Sequence, residues 1–176
     1  DAPIKPQTGR WVITWKLTPE GSWVVKARFV IRGFQDAQGS MVVTKSATAA
    51  KVAQRLLVST AVTYKWKIIS VDISTAFLKG TDLKDAKTVD GKERRATLAP
   101  PVNDFWQYLP KHMQPKGNWN TAVAHLLTGV YGLKDAPALW SAELFRTFKE
   151  EIGCIASIYD DATFYIRSAG ALVCMA

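Results

Sequence analysis

The chain has 176 residues, 48% of them apolar, and its 23 Lys and Arg against 15 Asp and Glu give a formal net charge of +8. The length suits one domain or a piece of a larger one, and seven Trp, seven Phe and five Tyr argue against disorder. No run approaches the roughly 20 apolar residues of a membrane span, and two cysteines, Cys154 and Cys174, exclude a disulfide scaffold and a Cys-rich zinc site. The start, Asp1 to Pro6, has neither an initiator Met nor a signal-peptide profile. All of the excess charge falls before Asp72, and the remainder is neutral. A basic half joined to a neutral half makes a polyanion the first partner to consider.

Residues 10–17 alternate, with Trp11, Ile13, Trp15 and Leu17 apolar. Thr18 to Ser22 is a turn, and residues 23–32 alternate again through Trp23, Val25, Ala27, Phe29 and Ile31. This predicts a β-hairpin with one buried face, and Arg10, Lys16, Lys26, Arg28 and Arg32 share the other. Such a basic face is either plain solvated surface or a polyanion contact. Gly33 to Val43 reads as a loop. A helix is predicted from about Thr48 to Lys65, capped by Ser46 or Thr48, with Ala49, Val52, Ala53, Leu56, Leu57 and Thr60 on one side.

Lys67 to Asp72 reads as a short strand ending in an acidic residue. Asp82 to Arg95 is charge-dense, with a turn at Asp90-Gly91, and reads as a surface loop; Pro100-Pro101 marks another connection. A short apolar element returns at Ala122 to Leu127. The loop Gly129 to Pro137 leads into a helix with Pro137 in its first turn, a Trp140, Leu144, Phe148, Ile152 stripe, and Gly153 at its end. Strands at Ala162 to Arg167 and Ala171 to Met175 close the chain, joined by Ser168-Ala169-Gly170. The order predicts an α+β fold with antiparallel pairs.

Asp72 has two readings: the N-cap of a short helix at Ser74 to Leu78, or a magnesium ligand at a strand end. Three motifs bear on the choice. They are Lys26-Ala27-Arg28-Phe29-Val30-Ile31-Arg32-Gly33-Phe34, then Val71-Asp72-Ile73-Ser74-Thr75-Ala76-Phe77-Leu78-Lys79-Gly80, then Tyr131-Gly132-Leu133-Lys134-Asp135-Ala136-Pro137 with Trp140. In this order and spacing they resemble the reverse transcriptase domain of copia-type retrotransposon polyproteins, from about Arg10 to the C-terminus.

The resemblance implies a partial right-hand polymerase, with residues 1–66 a fingers-like hairpin plus helix. Residues 67–176 would be a partial ferredoxin-like palm carrying an inserted loop at 80–120. It implies that Asp72 is the first catalytic aspartate, binding Mg²⁺ or Mn²⁺. Phe77 would stack under the incoming sugar and obstruct a 2′-hydroxyl, with Ile73 beside it at the substrate; ordinary core packing is the other reading of that ring. Lys26 and Arg28 would hold the triphosphate, since Arg grips phosphate oxygens bidentately. Gly132, Lys134 and Pro137 would lie near the nascent base pair and the template. The implied partners are an RNA/DNA template–primer, deoxynucleoside triphosphates, and thumb, RNase H and integrase domains of a polyprotein, with no membrane. The implied setting is intracellular: a cytoplasmic virus-like particle, and the nucleus for integration.

The chain departs from the family pattern at Ala138, where an Arg is usual, and at Ser46-Ala47, where Ser-Pro is common. The paired aspartates of the family's Tyr-x-Asp-Asp hairpin are expected after the last strand, so the 176-residue chain is expected not to polymerise alone. Tyr159-Asp160-Asp161 imitates that hairpin, but its surroundings match an earlier family segment. Asp160 is therefore read as a turn or capping residue, with a displaced metal ligand as the alternative. His112 and His125 read as surface or core residues, and the cysteines as small buried side chains. Two other classes compete: a non-catalytic nucleic-acid-binding or functionless relic, and an unrelated phosphoryl-transfer enzyme with carboxylates opposite Asp72.

Overall fold

A computed structural model describes residues 5–99, 105–118, 121–166 and 171–174. The connections at Pro100-Pro101 and Ser168-Ala169-Gly170 and the side chain of Cys174 lie outside the described residues. The architecture is α+β, and the described residues form three small antiparallel sheets and two main helices.

The hairpin forms as the alternation predicts. Strands β1 (Gly9–Leu17) and β2 (Trp23–Ile31) pair antiparallel, with Trp11 opposite Phe29 and Trp15 opposite Val25. Gly21, at φ +83°, turns the chain between them, and the Thr18 N–H donates to the Ser22 carbonyl at 2.8 Å. The expected burial of its apolar face holds only at the base, where Ile31 is 3% exposed. Trp11, Ile13, Trp15, Leu17, Trp23 and Val25 are 50–69% exposed. The ribbon projects beyond the core, and among the described residues nothing packs over its outer part.

Helix α1 runs Lys51–Thr63, shorter at both ends than its periodicity suggests. Neither expected cap is used: Ala50 occupies the N-cap, and the Ser46 hydroxyl pairs instead with Ser141 at 2.6 Å. The buried side is also rotated from the expected stripe. Ala53, Leu57 and Ala61 turn inward, while Val52 and Leu56 are 75% and 65% exposed. Periodicity marks an apolar side but not which part of it a neighbour covers.

The strand predicted at Lys67 to Asp72 is absent. Among the described residues this segment has no paired neighbour, and Ile68, Ile69 and Val71 are 55–79% exposed. Three β-branched residues favour extension, but a strand exists only where a second chain segment takes up its N–H and C=O groups. The short helix after Asp72 also begins later than expected, as a 3₁₀ turn at Ala76–Lys79. Thr75 precedes it in the left-handed region, at φ +54°, so Asp72 caps nothing.

The charge-dense stretch 82–95 is mostly exposed loop, as expected, but three of its side chains, Leu83, Thr88 and Arg94, turn inward and pin it to the core. Leu83 and Arg94 are each 2% exposed, and the stretch leads into β3 (Thr97–Leu98), which pairs with β4 (Ala124–His125). The turn at Asp90-Gly91 does form, with Gly91 at φ +81°. Ile31, Leu83, Ala96, Leu98, Leu133, Ala136 and Leu139 make the main core.

Helix α2 (Ala136–Arg146) begins with Pro137 in its first turn, as expected, and continues as a π turn at Thr147–Glu151. The wider turn advances the register, so Ile152 leaves the predicted stripe and is 50% exposed. Gly153 ends the segment at φ +78°. Phe145 and Phe148 pack on the fully buried Phe164, with ring centroids 5.0 and 5.4 Å away. Phe164 lies on β6 (Thr163–Ile166), between β5 (Ile155–Ala156) and β7 (Ala171–Cys174), all antiparallel. Cys154 is a buried free thiol, and burial raises its pKa. His112 and His125 are exposed.

Candidate nucleotide-binding cleft

Close backbone approach builds the joint at the base of the hairpin. The Ile31 N–H donates to the Tyr131 carbonyl at 2.8 Å. Gly132 holds φ +100°, and a Cβ there would stand 2.0 Å from the Ile31 carbonyl oxygen. A Cβ on Gly33 would stand 2.0 Å from the Gly132 oxygen. Two of the three motifs thus touch through backbones that only glycine allows to come so near.

A buried ion triad locks the same joint. Arg94 donates from Nε to Asp135 Oδ2 at 2.7 Å and from Nη1 to Asp36 Oδ1 at 3.2 Å, and Nη2 also bonds both carboxylates. All three side chains are at most 5% exposed. Burial pushes the Arg94 pKa down, but the bonds and charges of the two carboxylates outweigh it, so the net shift is upward. Sequence reading missed this triad because its members lie 41 and 58 positions apart. The only local hint was a charge-dense stretch that also contained Leu83 and Ala86.

Beside the joint lies a cleft of about 680 Å³. Lys26 and Arg28 of β2 line it, as do Asp72, Ile73 and Phe77 of the second motif and Tyr131 of the third. The Phe77 ring is half-buried against the main core and meets Tyr131 edge to face, with centroids 5.6 Å apart. Its packing role and its place in the cleft wall therefore coexist. Asp72 is exposed. Gly132, Lys134 and Pro137 do not line the cleft: Gly132 packs on Ile31, Lys134 is exposed, and Pro137 is half-buried in the first turn of α2.

Asp72 is the single carboxylate among the residues lining the cleft. Among the described residues no three His, Cys, Asp or Glu side chains converge on one point. These residues offer a divalent ion one carboxylate, which does not complete a site for two ions.

Asp160 serves the fold. Its Oδ2 accepts the Ala50 N–H at 2.8 Å, and its Oδ1 accepts the Ala162 N–H at 3.0 Å and the Thr163 hydroxyl at 2.9 Å. It therefore ties the turn before β6 to the start of α1, led by the Ala50 bond, and these bonds lower its pKa from the ordinary 3.8. A lowered folded-state pKa means the contribution is complete above the unfolded value and lost as pH falls through the folded one. Acidification below about pH 4 is expected to lower the protection of amides at the start of α1, taken as the intrinsic exchange rate at that pH over the observed one. Asp160→Ala should show the same loss of protection at neutral pH, and protection unchanged from the parent chain would remove this role.

The cleft joins residues from motifs whose spacing a family comparison can weigh. The family model for reverse transcriptase (RNA-dependent DNA polymerase) matches residues 2–89. The retrovirus-related Pol polyprotein from transposon RE2 of Arabidopsis thaliana is 29% identical over 168 residues, covering 94% of this chain and 10% of that protein. The corresponding polyprotein from transposon RE1 of the same plant is 30% identical over the same shares. The chain thus spans about a tenth of the length of these curated relatives. No solved structure matches it. Among the described residues no helix is long and apolar enough to cross a membrane. With half its length matched by that family model, and with its motifs gathered at one cleft and one joint, the chain belongs to the reverse transcriptase (RNA-dependent DNA polymerase) family.

Proposed function

We propose that the cleft is the incoming-nucleotide site of a copia-type polymerase. Residues 1–66 serve as fingers and residues 67–176 as part of a ferredoxin-like palm. One observation carries this reading: Lys26, Arg28, Asp72, Ile73 and Phe77, drawn from two distant motifs, line one cleft. Lys26 and Arg28 supply the positive charge for a triphosphate, and Phe77 with Ile73 supplies an apolar wall where a 2′-hydroxyl would find no room and no partner. Asp72 supplies one carboxylate to Mg²⁺ or Mn²⁺. Gly132 and Pro137 act at one remove, by shaping the joint that sets the hairpin over the cleft, and Lys134 offers charge to a template strand. The whole polyprotein's partners are then template–primer nucleic acid, deoxynucleoside triphosphates and its other domains.

Binding of a fluorescent deoxynucleoside triphosphate tests the site. Arg28→Gln is expected to weaken it about 10-fold or more, the worth of one charge-assisted hydrogen bond. Asp72→Asn should remove the dependence of that binding on divalent ions. Affinity unchanged by both substitutions would overturn the assignment. With one carboxylate in the cleft, the 176-residue chain is expected to give no primer extension. The non-catalytic reading, a nucleic-acid binder acting through the basic hairpin, predicts duplex binding that falls steeply with salt and is indifferent to Asp72→Asn.

A further inference from the structure

The outer part of the hairpin is an apolar face of a kind that monomeric proteins seldom leave open. The register places Trp15 opposite Val25 and Leu17 opposite Trp23, so these side chains form one continuous face with Trp11 and Ile13. They are 50–69% exposed, and every inward-alternating position of both strands is free of charge. With indoles of roughly 250 Å² each, the open apolar area is on the order of 800 Å². That exceeds the largest patch of a typical monomer and matches the roughly 800 Å² each partner gives to a stable interface.

We propose that two copies of this chain associate through this face, hairpin against hairpin, about a two-fold axis. A two-fold pairing needs only that the patch fit itself, and two apolar sheet faces meet at about 10 Å separation with their side chains interleaved. The charges favour this partner over nucleic acid. Arg10, Lys16, Lys26 and Arg28 lie on the alternate positions, so they face away from the indoles. Trp11 shares the cleft with Lys26 and Arg28, but no charged residue shares the face of Trp15 and Trp23 on either strand, and face-to-face pairing there leaves both basic faces outward. Trp11 also lines the cleft that holds Asp72, so the dimer seam runs along one cleft wall. The inference does not depend on what that cleft binds.

Sedimentation of the nuclease-treated 176-residue chain at increasing micromolar concentration tests it. The expected result is a monomer–dimer equilibrium that persists at high salt, because apolar association is not screened while repulsion between two chains of charge +8 is. Trp15→Lys is expected to raise the dissociation constant by more than about 30-fold, as loss of a central aromatic anchor does. Since Trp15 is 69% exposed, its circular dichroism spectrum should match that of the parent chain. Three results would each overturn the proposal. One is a monomer at every concentration. Another is association that vanishes with nuclease or salt, which would mean bridging nucleic acid. The third is a dimer insensitive to Trp15→Lys but broken by Leu56→Lys on the open side of α1.

Discussion

Replacing Arg94 with Met is expected to cost about 3–5 kcal/mol of folding stability, read as a lower urea midpoint at an unchanged slope. The cause is not the loss of a favourable pair so much as what remains behind. Asp36 and Asp135 are both nearly inaccessible, with side chains 1% and 5% exposed, and without the guanidinium two like charges face each other out of water. A domain of this size has roughly 5–15 kcal/mol to lose, so the substitution removes a large share of it. Arg94→Lys is expected to recover only part of the loss. An ammonium keeps the charge but lacks the planar fork that reaches both carboxylates at once. Replacing all three members with apolar residues of similar volume should be far milder than Arg94→Met alone, since it leaves no orphaned charge. If Arg94→Met unfolds at the same urea concentration as the parent chain, the triad is not the lock described.

Gly132→Ala is expected to destabilise by about 3 kcal/mol or more, measured the same way. Two independent costs meet there. The residue holds φ +100°, which a side chain resists, and the new Cβ would stand 2.0 Å from the Ile31 carbonyl oxygen. The obstacle is backbone already bound at the joint, not the free end of a side chain, so it cannot swing aside. Gly33→Ala strikes the other side of the same contact, 2.0 Å from the Gly132 oxygen. Because both substitutions open one seam, their combination should cost less than the sum of the two. Full additivity would mean that the seam is two separate contacts. In either variant the Phe77–Tyr131 ring contact is expected to loosen, since the seam fixes Tyr131.

Several elements were legible in the sequence because their causes are local. Alternation with a Thr18-to-Ser22 turn produced the hairpin, and Pro137 marked the start of α2. Asp160 was read as a backbone-binding turn residue, which its bonds to Ala50 and Ala162 describe. Motif order singles out Lys26, Arg28, Asp72, Ile73 and Phe77, and these five share one cleft. Gly132 and Pro137 were assigned to the same neighbourhood, but they stand at the joint and the helix start, one step behind it.

Failures of the sequence reading share one physical origin. Whether Lys67 to Asp72 becomes a strand depends on a partner segment, and whether Val52 or Ala53 faces inward depends on what lies beside α1. Alternation gives the hairpin two faces, one of them apolar, but does not report what covers either. Arg94 looked solvated because its two carboxylates sit far away in sequence. By itself the sequence determined the hairpin, the start of α2, the family motifs and the placing of all the excess charge before Asp72. Tertiary structure decided which apolar faces find a neighbour, which charge is locked inside and which motifs meet. Burial and ion pairing are set by distances in space, and chain order does not encode those distances until the backbone has folded.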